Sequence, residues 1–85
     1  MELEEAIQIG VSLVADVSGI ESSRLSIEST SSSFSEWDSL VHMEVISALE
    51  AKTGTQLSRE EMLSVASING IAGVLTASKT SEISE

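Results

Sequence analysis

One helix organises this sequence: residues 37–54, WDSLVHMEVISALEAKTG, carry a start signal and a stop signal. Asp38 is a favoured N-cap residue, and Gly54 stands where a helix commonly ends in a left-handed conformation. The apolar residues on one face of this helix are Val45, Ile46 and Leu49. His42 lies close to the centre of the same face. The pattern predicts a helix over residues 39–52.

Further helices are predicted on both sides of this one. Residues 3–17 repeat apolar side chains with a helical period, and Gly19 follows them as a C-terminal cap. Ser58 and Glu61 have the spacing of a capping box, which opens one short helical turn, and Ser67 is placed to cap a last helix. The predicted inner-face residues are Leu3, Ala6, Ile7, Gly10, Val11, Leu13, Val14 and Val17 in the first helix and Ile68, Ile71, Ala72 and Leu75 in the last.

The connection between the first two helices, residues 20–38, is long and rich in serine. The apolar residues spaced along it are Leu25, Ile27, Phe34 and Trp37. Such spacing predicts a loop pinned over the core, and no strand pattern is found. We therefore predict an all-α fold, a small four-helix bundle with three main helices and one short helix. Residues 1–77 would form this domain, and residues 78–85 a frayed tail.

Composition excludes several classes of function. The chain has 85 residues, no cysteine, one histidine and a net charge of −10. Disulfides, thiol catalysis by the chain and a transition-metal site are therefore not expected. The negative charge would repel the phosphates of nucleic acids and favours a partner protein with a basic surface. No secretory signal or membrane span is recognisable, so we expect a soluble, cytoplasmic monomer.

Ser39 is the residue best placed for chemistry. It lies at the N-terminus of the second helix, directly after an irregular loop. At such a position the hydroxyl is exposed, and free backbone N–H groups can receive a phosphate oxygen. The placement suits a serine that becomes a phosphodiester. By itself, the tripeptide Asp38-Ser39-Leu40 is a weak signal, because any capped helix can begin in this way.

In its setting, the motif resembles the acyl carrier proteins. Asp38-Ser39-Leu40 opens the second helix of an acidic four-helix domain, and the resemblance extends from about Leu3 to Leu75. It implies that 4′-phosphopantetheine is esterified to Ser39, after transfer from coenzyme A by a separate magnesium-dependent phosphopantetheinyl transferase. It also implies that the chain is not itself an enzyme. Because the chain lacks cysteine, the thiol of any thioester must come from such a prosthetic group.

The resemblance also implies a docking surface on the second helix. Leu40 and Met43 are apolar residues near Ser39 that match partner-contacting positions, and Glu44 and Glu50 match acidic recognition positions. The implied partners are the transferase and acyl-loading and acyl-consuming enzymes with basic docking faces. The plainer interpretation of these side chains is an ordinary solvated helix face.

Two residues beside the motif have more than one interpretation. Trp37 is predicted to pack the loop end against the bundle, and it is also a candidate contact for the arm or a partner. His42 lies three residues after Ser39, the spacing of neighbours on a helix. A Ser–His nucleophilic pair is disfavoured because no oxyanion hole is recognisable. A half-buried, hydrogen-bonded structural histidine is favoured instead, and a contact to the arm or its cargo is an intermediate possibility.

The sequence departs from the commonest carrier signatures. Glu36 stands where glycine is usual, and Val41 and Ala51 stand where acidic residues are common in carriers of housekeeping fatty acid synthesis. The motif is more similar to discrete carriers of dedicated pathways, which serve specialised fatty-acid, polyketide-like or other acyl transfers. An aminoacyl or peptidyl carrier is one alternative. An unmodified helical adaptor, which binds proteins through its acidic face, is another.

The net charge of −10 on a small domain predicts self-repulsion that salt relieves. The screening length falls from about 30 Å at about 0.01 M salt to about 8 Å at about 0.15 M. We therefore expect the melting temperature, followed by circular dichroism, to rise across that range. A melting temperature that does not change with salt would contradict this account of the charge.

Overall fold

The computed structural model of the chain describes the backbone of residues 2–83 and the side chains of residues 2–77. Within them lie four helices, α1 (Leu3–Ser18), α2 (Ser39–Thr53), α3 (Arg59–Ser64) and α4 (Ile68–Ile83), and two 3-10 turns, Ser22–Arg24 and Ser31–Ser33. The predicted all-α bundle, with one short helix and a long first connection, is confirmed. Helix α2 begins at the predicted residue and ends one residue later than predicted.

Local signals at the helix ends act as the sequence predicts. Gly19 closes α1 and Gly54 closes α2, with φ angles of 82° and 76°, which glycine adopts without steric cost. At the start of α3, the Ser58 hydroxyl accepts the Glu61 N–H at 3.1 Å. The Glu61 carboxylate accepts the Ser58 N–H at 2.8 Å, which completes the capping box.

The core lies between α1, α2 and α4, and the predicted inner faces supply most of it. Its buried helical residues are Ala6, Val11, Val14, Val41, Val45, Ile46, Leu49, Ile68, Ile71, Ala72, Val74 and Leu75. Two predictions need correction. Leu3 is 57% exposed, because it is the first residue of α1 and precedes the first core residue by nearly a turn. His42 does not lie at the centre of the inner face of α2, because Val41, one turn before Val45, takes the core position there; the half-burial of His42 itself agrees with the prediction.

The long connection is held over the core, as its apolar spacing predicts. Leu25 and Trp37 are buried in it, and Ile27 and Phe34 pack partly against it. Ile20, at the start of the connection, is also buried. Burial of these side chains offsets part of the conformational entropy that ordering such a segment costs.

Two backbone hydrogen bonds also fasten the connection, and local sequence patterns give no sign of them. The Ser31 N–H donates to the Ala66 carbonyl at 2.7 Å, and the Ile68 N–H donates to the Ser29 carbonyl at 3.0 Å. Together they form an isolated antiparallel β-bridge between the connection and the turn joining α3 to α4. We call this pair of hydrogen bonds the loop bridge.

The predicted domain boundary and the predicted absence of a membrane span both depend on which residues the structure describes. The backbone of α4 runs to Ile83, but the side chains from residue 78 onward, and residues 84–85 entirely, lie outside the described part. The boundary at residue 77 and the frayed tail over 78–85 therefore stay predictions. In the part of the chain that is described, none of the helices has the length and apolar character needed to cross a bilayer.

Two glycines of α4 provide a matched test of the packing around the α3–α4 turn. A methyl group built on Gly70 overlaps the carbonyl of Ser64, whereas one built on Gly73 meets no described atom within 4 Å outside the backbone of its own helix. We expect Gly70→Ala to lower the free energy of unfolding by about 1–3 kcal/mol, because backbone must shift. Gly73→Ala should raise it by up to about 1 kcal/mol, through helix propensity alone.

Urea unfolding of both variants measures the difference. Gly70 also donates its N–H to the Ser67 hydroxyl at 2.9 Å, which confirms that Ser67 caps α4. Equal stability of the two variants would show that the α3–α4 turn is not packed as described.

Candidate functional site

Ser39 is the first residue of α2, and its side chain is exposed. Asp38 before it has an extended backbone, and its carboxylate accepts the Val41 N–H at 3.0 Å, which confirms the predicted N-cap. In the described part of the chain, the Ser39 hydroxyl makes no hydrogen bond to another residue. The hydroxyl is therefore available for reaction at a helix end whose first N–H groups favour an anion.

A cavity of about 300 Å³ begins at this serine. We call it the Ser39 cavity, and the residues that line it are Ser31, Trp37, Asp38, Ser39, His42, Leu63 and Ala66. It thus joins the second 3-10 turn, the start of α2 and the α3–α4 turn. Sequence analysis singled out the residues from the start of α2 but missed Ser31, Leu63 and Ala66, which only the tertiary fold brings to Ser39.

Trp37 packs the end of the loop against the bundle, as predicted. Its side chain is 2% exposed, and it also lines the Ser39 cavity. A contact between Trp37 and the arm or a partner stays a prediction. The indole Nε1–H of Trp37 is buried and has no hydrogen-bond partner among the described residues. A buried donor left unpaired costs about 1–3 kcal/mol.

His42 faces the Ser39 cavity instead of packed core side chains, because the first turn of α2 borders that cavity. No hydrogen bond joins His42 to Ser39, although both residues line the same space. The predicted hydrogen bond of a structural histidine is not found, because the imidazole makes none to any side chain or backbone group in the described residues. The arrangement therefore presents a half-buried histidine to the cavity and gives no assembled Ser–His pair.

Exposed apolar side chains surround the same helix end. Leu40 is 68% exposed and Met43 59% exposed on α2, and Leu63 of α3, a residue of the cavity lining, is 71% exposed. Glu44, next to Met43, is exposed as well. Large apolar residues grouped on a surface with acidic neighbours are typical of a protein-binding face.

Glu50 has a structural contact that sequence analysis did not foresee. It is only half-buried, and its carboxylate accepts the Leu57 N–H at 3.0 Å. This hydrogen bond ties the end of α2 to the segment that leads into α3. A role for Glu50 in partner recognition stays a prediction.

Glu36, two residues before Asp38, takes part in an ion pair near the site. Its carboxylate lies 3.3 Å from the Arg24 guanidinium, which also lies 5.1 Å from the centroid of the Phe34 ring. The pKa of Glu36 lies below its ordinary value, mainly because its carboxylate accepts a backbone hydrogen bond. Desolvation acts in the opposite direction, and the hydrogen bond and positive charge of Arg24 lower the pKa further. Both ion-pair partners are exposed, so the pair adds little stability.

The N-cap of α2 can be tested with a conservative pair of variants. Asp38→Ala removes the acceptor of the Val41 N–H and should lower the free energy of unfolding by about 1 kcal/mol. Asp38→Asn keeps a side-chain oxygen at the cap and should lose much less. Thermal unfolding at neutral pH distinguishes them, and two equally destabilised variants would point to charge instead of capping.

The functional groups at the site limit the chemistry that it can support. Among the described residues, Ser39 offers a hydroxyl without a hydrogen bond at a helix N-terminus, and the imidazole of His42 lines the neighbouring cavity. Among the side chains that are described, no group of three or more histidine, aspartate or glutamate residues is placed to hold a metal ion. The arrangement fits a group bonded to serine through phosphate.

Comparison with known proteins agrees with this chemistry. Residues 11–75, most of the chain, match a family model described as a phosphopantetheine attachment site. No curated protein and no solved structure gave a match. The resemblance to acyl carrier proteins is thereby confirmed at the level of the family. The chain belongs to the phosphopantetheine attachment family, the carrier domains that bear 4′-phosphopantetheine covalently on a serine.

Proposed function

We propose that this chain is an acyl carrier protein and that Ser39 is its attachment site. The observation that carries this proposal is the exposed, unpaired Ser39 hydroxyl at the N-terminus of α2, inside the segment that matches the family. The protein would present acyl groups as thioesters to other enzymes and catalyse no reaction itself. Since the chain has no cysteine, the thiol that forms the thioester is supplied by the bound arm.

Attachment requires one displacement at phosphorus. The Ser39 Oγ attacks the coenzyme A phosphorus nearest the pantetheine, and its proton passes to a base of the transferase. The new Oγ–P bond replaces the pyrophosphate P–O bond, and adenosine 3′,5′-bisphosphate leaves. The free N–H groups in the first turn of α2 favour the phosphate that stays on Ser39. Asp38 holds this turn in place through its bond to Val41.

The docking face would lie around Ser39 on α2. Leu40 and Met43 supply exposed apolar contact area, and Glu44 supplies exposed negative charge. The net charge of −10 supports partners with basic docking faces, namely a phosphopantetheinyl transferase, an acyl-loading enzyme and an acyl-consuming enzyme. Within this proposal, the sequence favours a cytoplasmic, monomeric carrier. It would serve a dedicated fatty-acid, polyketide-like or other acyl-transfer pathway.

Intact-mass spectrometry tests the proposal. The protein is incubated with coenzyme A, magnesium and a broad-specificity phosphopantetheinyl transferase. We expect a mass gain of one phosphopantetheine in the wild-type chain and none in Ser39→Ala, because only Ser39 combines an exposed hydroxyl with the start of α2. Ser47→Ala is the matched control, since Ser47 is also exposed on α2 but lies two turns further along.

The controls make each outcome decisive. Loss of the mass gain in Ser39→Ala but not in Ser47→Ala supports attachment at Ser39. A gain that persists in Ser39→Ala places the arm elsewhere. No gain in the wild-type chain with several transferases would favour the helical adaptor, for which a basic binding partner would then be sought.

A further inference from the structure

A groove that takes no part in the proposed attachment at Ser39 runs between α1 and α2. We call it the α1–α2 groove, and its volume is about 680 Å³. Its apolar lining consists of the half-buried Ile9, Leu13 and Ala48 and the exposed Ala51. Its charged lining consists of Glu5, Asp16 and Lys52, all of them exposed. An apolar floor bordered by exposed charges is typical of a protein-binding surface.

The core does not account for the whole of this apolar floor. Ile9 lies outside the predicted inner face of α1, and both Ile9 and Leu13 pack only partly against the core. Part of each side chain therefore faces water in the α1–α2 groove. Covering that surface with apolar side chains of another molecule is favourable, because it removes apolar area from water.

The charges of the groove are also unused by the fold. Among the described residues, Glu5, Asp16 and Lys52 make no hydrogen bond and no ion pair through their side chains. Asp16 lies in the last turn of α1, where a negative charge opposes the helix dipole instead of complementing it. Helix stability therefore does not explain Asp16, and its charge is available to a positive group from outside the chain.

We propose that the α1–α2 groove binds an amphipathic helix of a partner protein, with basic residues on its flank toward α1 and an acidic residue on its flank toward α2. Glu5 and Asp16 pair with the basic residues, and Lys52 pairs with the acidic one. The groove lies away from the attachment serine, because Ala48 follows Ser39 by about 14 Å along the axis of α2. The partner helix therefore holds the carrier while enzymes act at Ser39.

The shape of the groove favours a helix as its occupant. The lining residues of α1 extend from Glu5 to Asp16, which is about three turns and about 16 Å of helix. A partner helix of about twelve residues covers that length. The small side chains of Ala48 and Ala51 allow its apolar stripe to approach α2 closely. An extended peptide is disfavoured, because two internally hydrogen-bonded helices offer it no backbone edge to pair with.

Charge limits which molecule carries that helix. The net charge of −10 repels a second copy of this chain, and it repels nucleic acid and anionic lipid surfaces as well. A protein helix with basic residues is attracted instead. Because the α1 side of the groove is acidic and Lys52 lies on the α2 side, the two sides also fix the direction in which the partner helix lies.

A designed peptide provides the probe. It has about fourteen residues and is stapled, since so short a helix is marginal in water by itself. It carries a leucine stripe, two lysines three turns apart on one flank and one glutamate on the other. A second stapled peptide has the same composition but carries all three charges opposite the leucines. Fluorescence anisotropy at about 0.15 M salt measures the dissociation constants, and we expect the first peptide to bind about tenfold more tightly.

Reversal of one charge separates a fitted groove from general attraction. Lys52→Glu and Arg59→Glu each change the net charge from −10 to −12, so general attraction to a basic peptide rises equally in both. Arg59 is exposed on α3 and does not line the groove. We expect Lys52→Glu to weaken binding of the first peptide by about fivefold, because its carboxylate meets the peptide glutamate. Arg59→Glu should not weaken it.

A second pair of variants tests the floor of the groove. Ala51→Gln places a larger neutral side chain in the groove and should weaken binding of the first peptide. Asn69→Gln is its control, because Asn69 is exposed on α4 and does not line the groove. Far-UV circular dichroism checks that all four variants are folded.

The outcomes distinguish this inference from the proposed function. The groove is overturned if the first peptide does not bind at about 1 mM, if both peptides bind equally, or if Lys52→Glu binds as tightly as the wild-type chain. Loading of Ser39 at an unchanged rate with the peptide bound supports simultaneous occupancy, and blocked loading overturns it. A chain that is never loaded, even without peptide, overturns the proposed function and leaves the groove standing.

Discussion

The loop bridge is the constraint on which the rest of this structure depends. Its two backbone hydrogen bonds join Ser31 to Ala66 and Ile68 to Ser29, across the middle of a connection that has little regular structure. Ordering about twenty such residues costs conformational entropy. Without the loop bridge, the buried apolar side chains of the connection would have to offset this cost by themselves. By fastening the connection to the α3–α4 turn, the bridge also brings two remote segments against the start of α2 and so builds the Ser39 cavity.

Helix α2 divides its surface between stability and function. Val41, Val45 and Leu49 enter the core on one side, whereas Leu40 and Met43 remain exposed on the other. This division leaves the exposed hydroxyl of Ser39 at the start of α2, beside exposed apolar side chains, where the proposed function requires it. A carrier needs this arrangement, because its partners supply the chemistry and it supplies a presented group on a rigid helix end.

Much of the architecture could be predicted from local sequence. Helix period and capping residues such as Asp38, Gly54 and Ser67 are local signals, and the helices they predict are present. The motif at Ser39 and the acidic composition, taken together, also indicated the family correctly. Among the predicted site residues, His42 was wrongly placed at the centre of the inner face of α2. It lines the Ser39 cavity instead, because the inner face of a helix can border a cavity near the helix end.

The rest depends on contacts between residues far apart in sequence. Nothing local marks the loop bridge, since it uses backbone groups of ordinary serine, alanine and isoleucine residues. For the same reason, Leu63 and Ala66 could not be placed in the cavity lining, and the hydrogen bond from Leu57 to Glu50 could not be foreseen. These contacts follow from how the helices pack, which periodicity along one helix does not specify.

Amide hydrogen exchange of Ser31 and Ile68 tests whether the loop bridge holds the connection to the fold. We expect both amides to exchange within about tenfold of the Val45 amide in the core of α2, since the loop bridge would open only with the fold. The exposed Ser35, whose amide makes no hydrogen bond in the described part of the chain, is the fast reference. Exchange of Ser31 as fast as that of Ser35 would contradict the account.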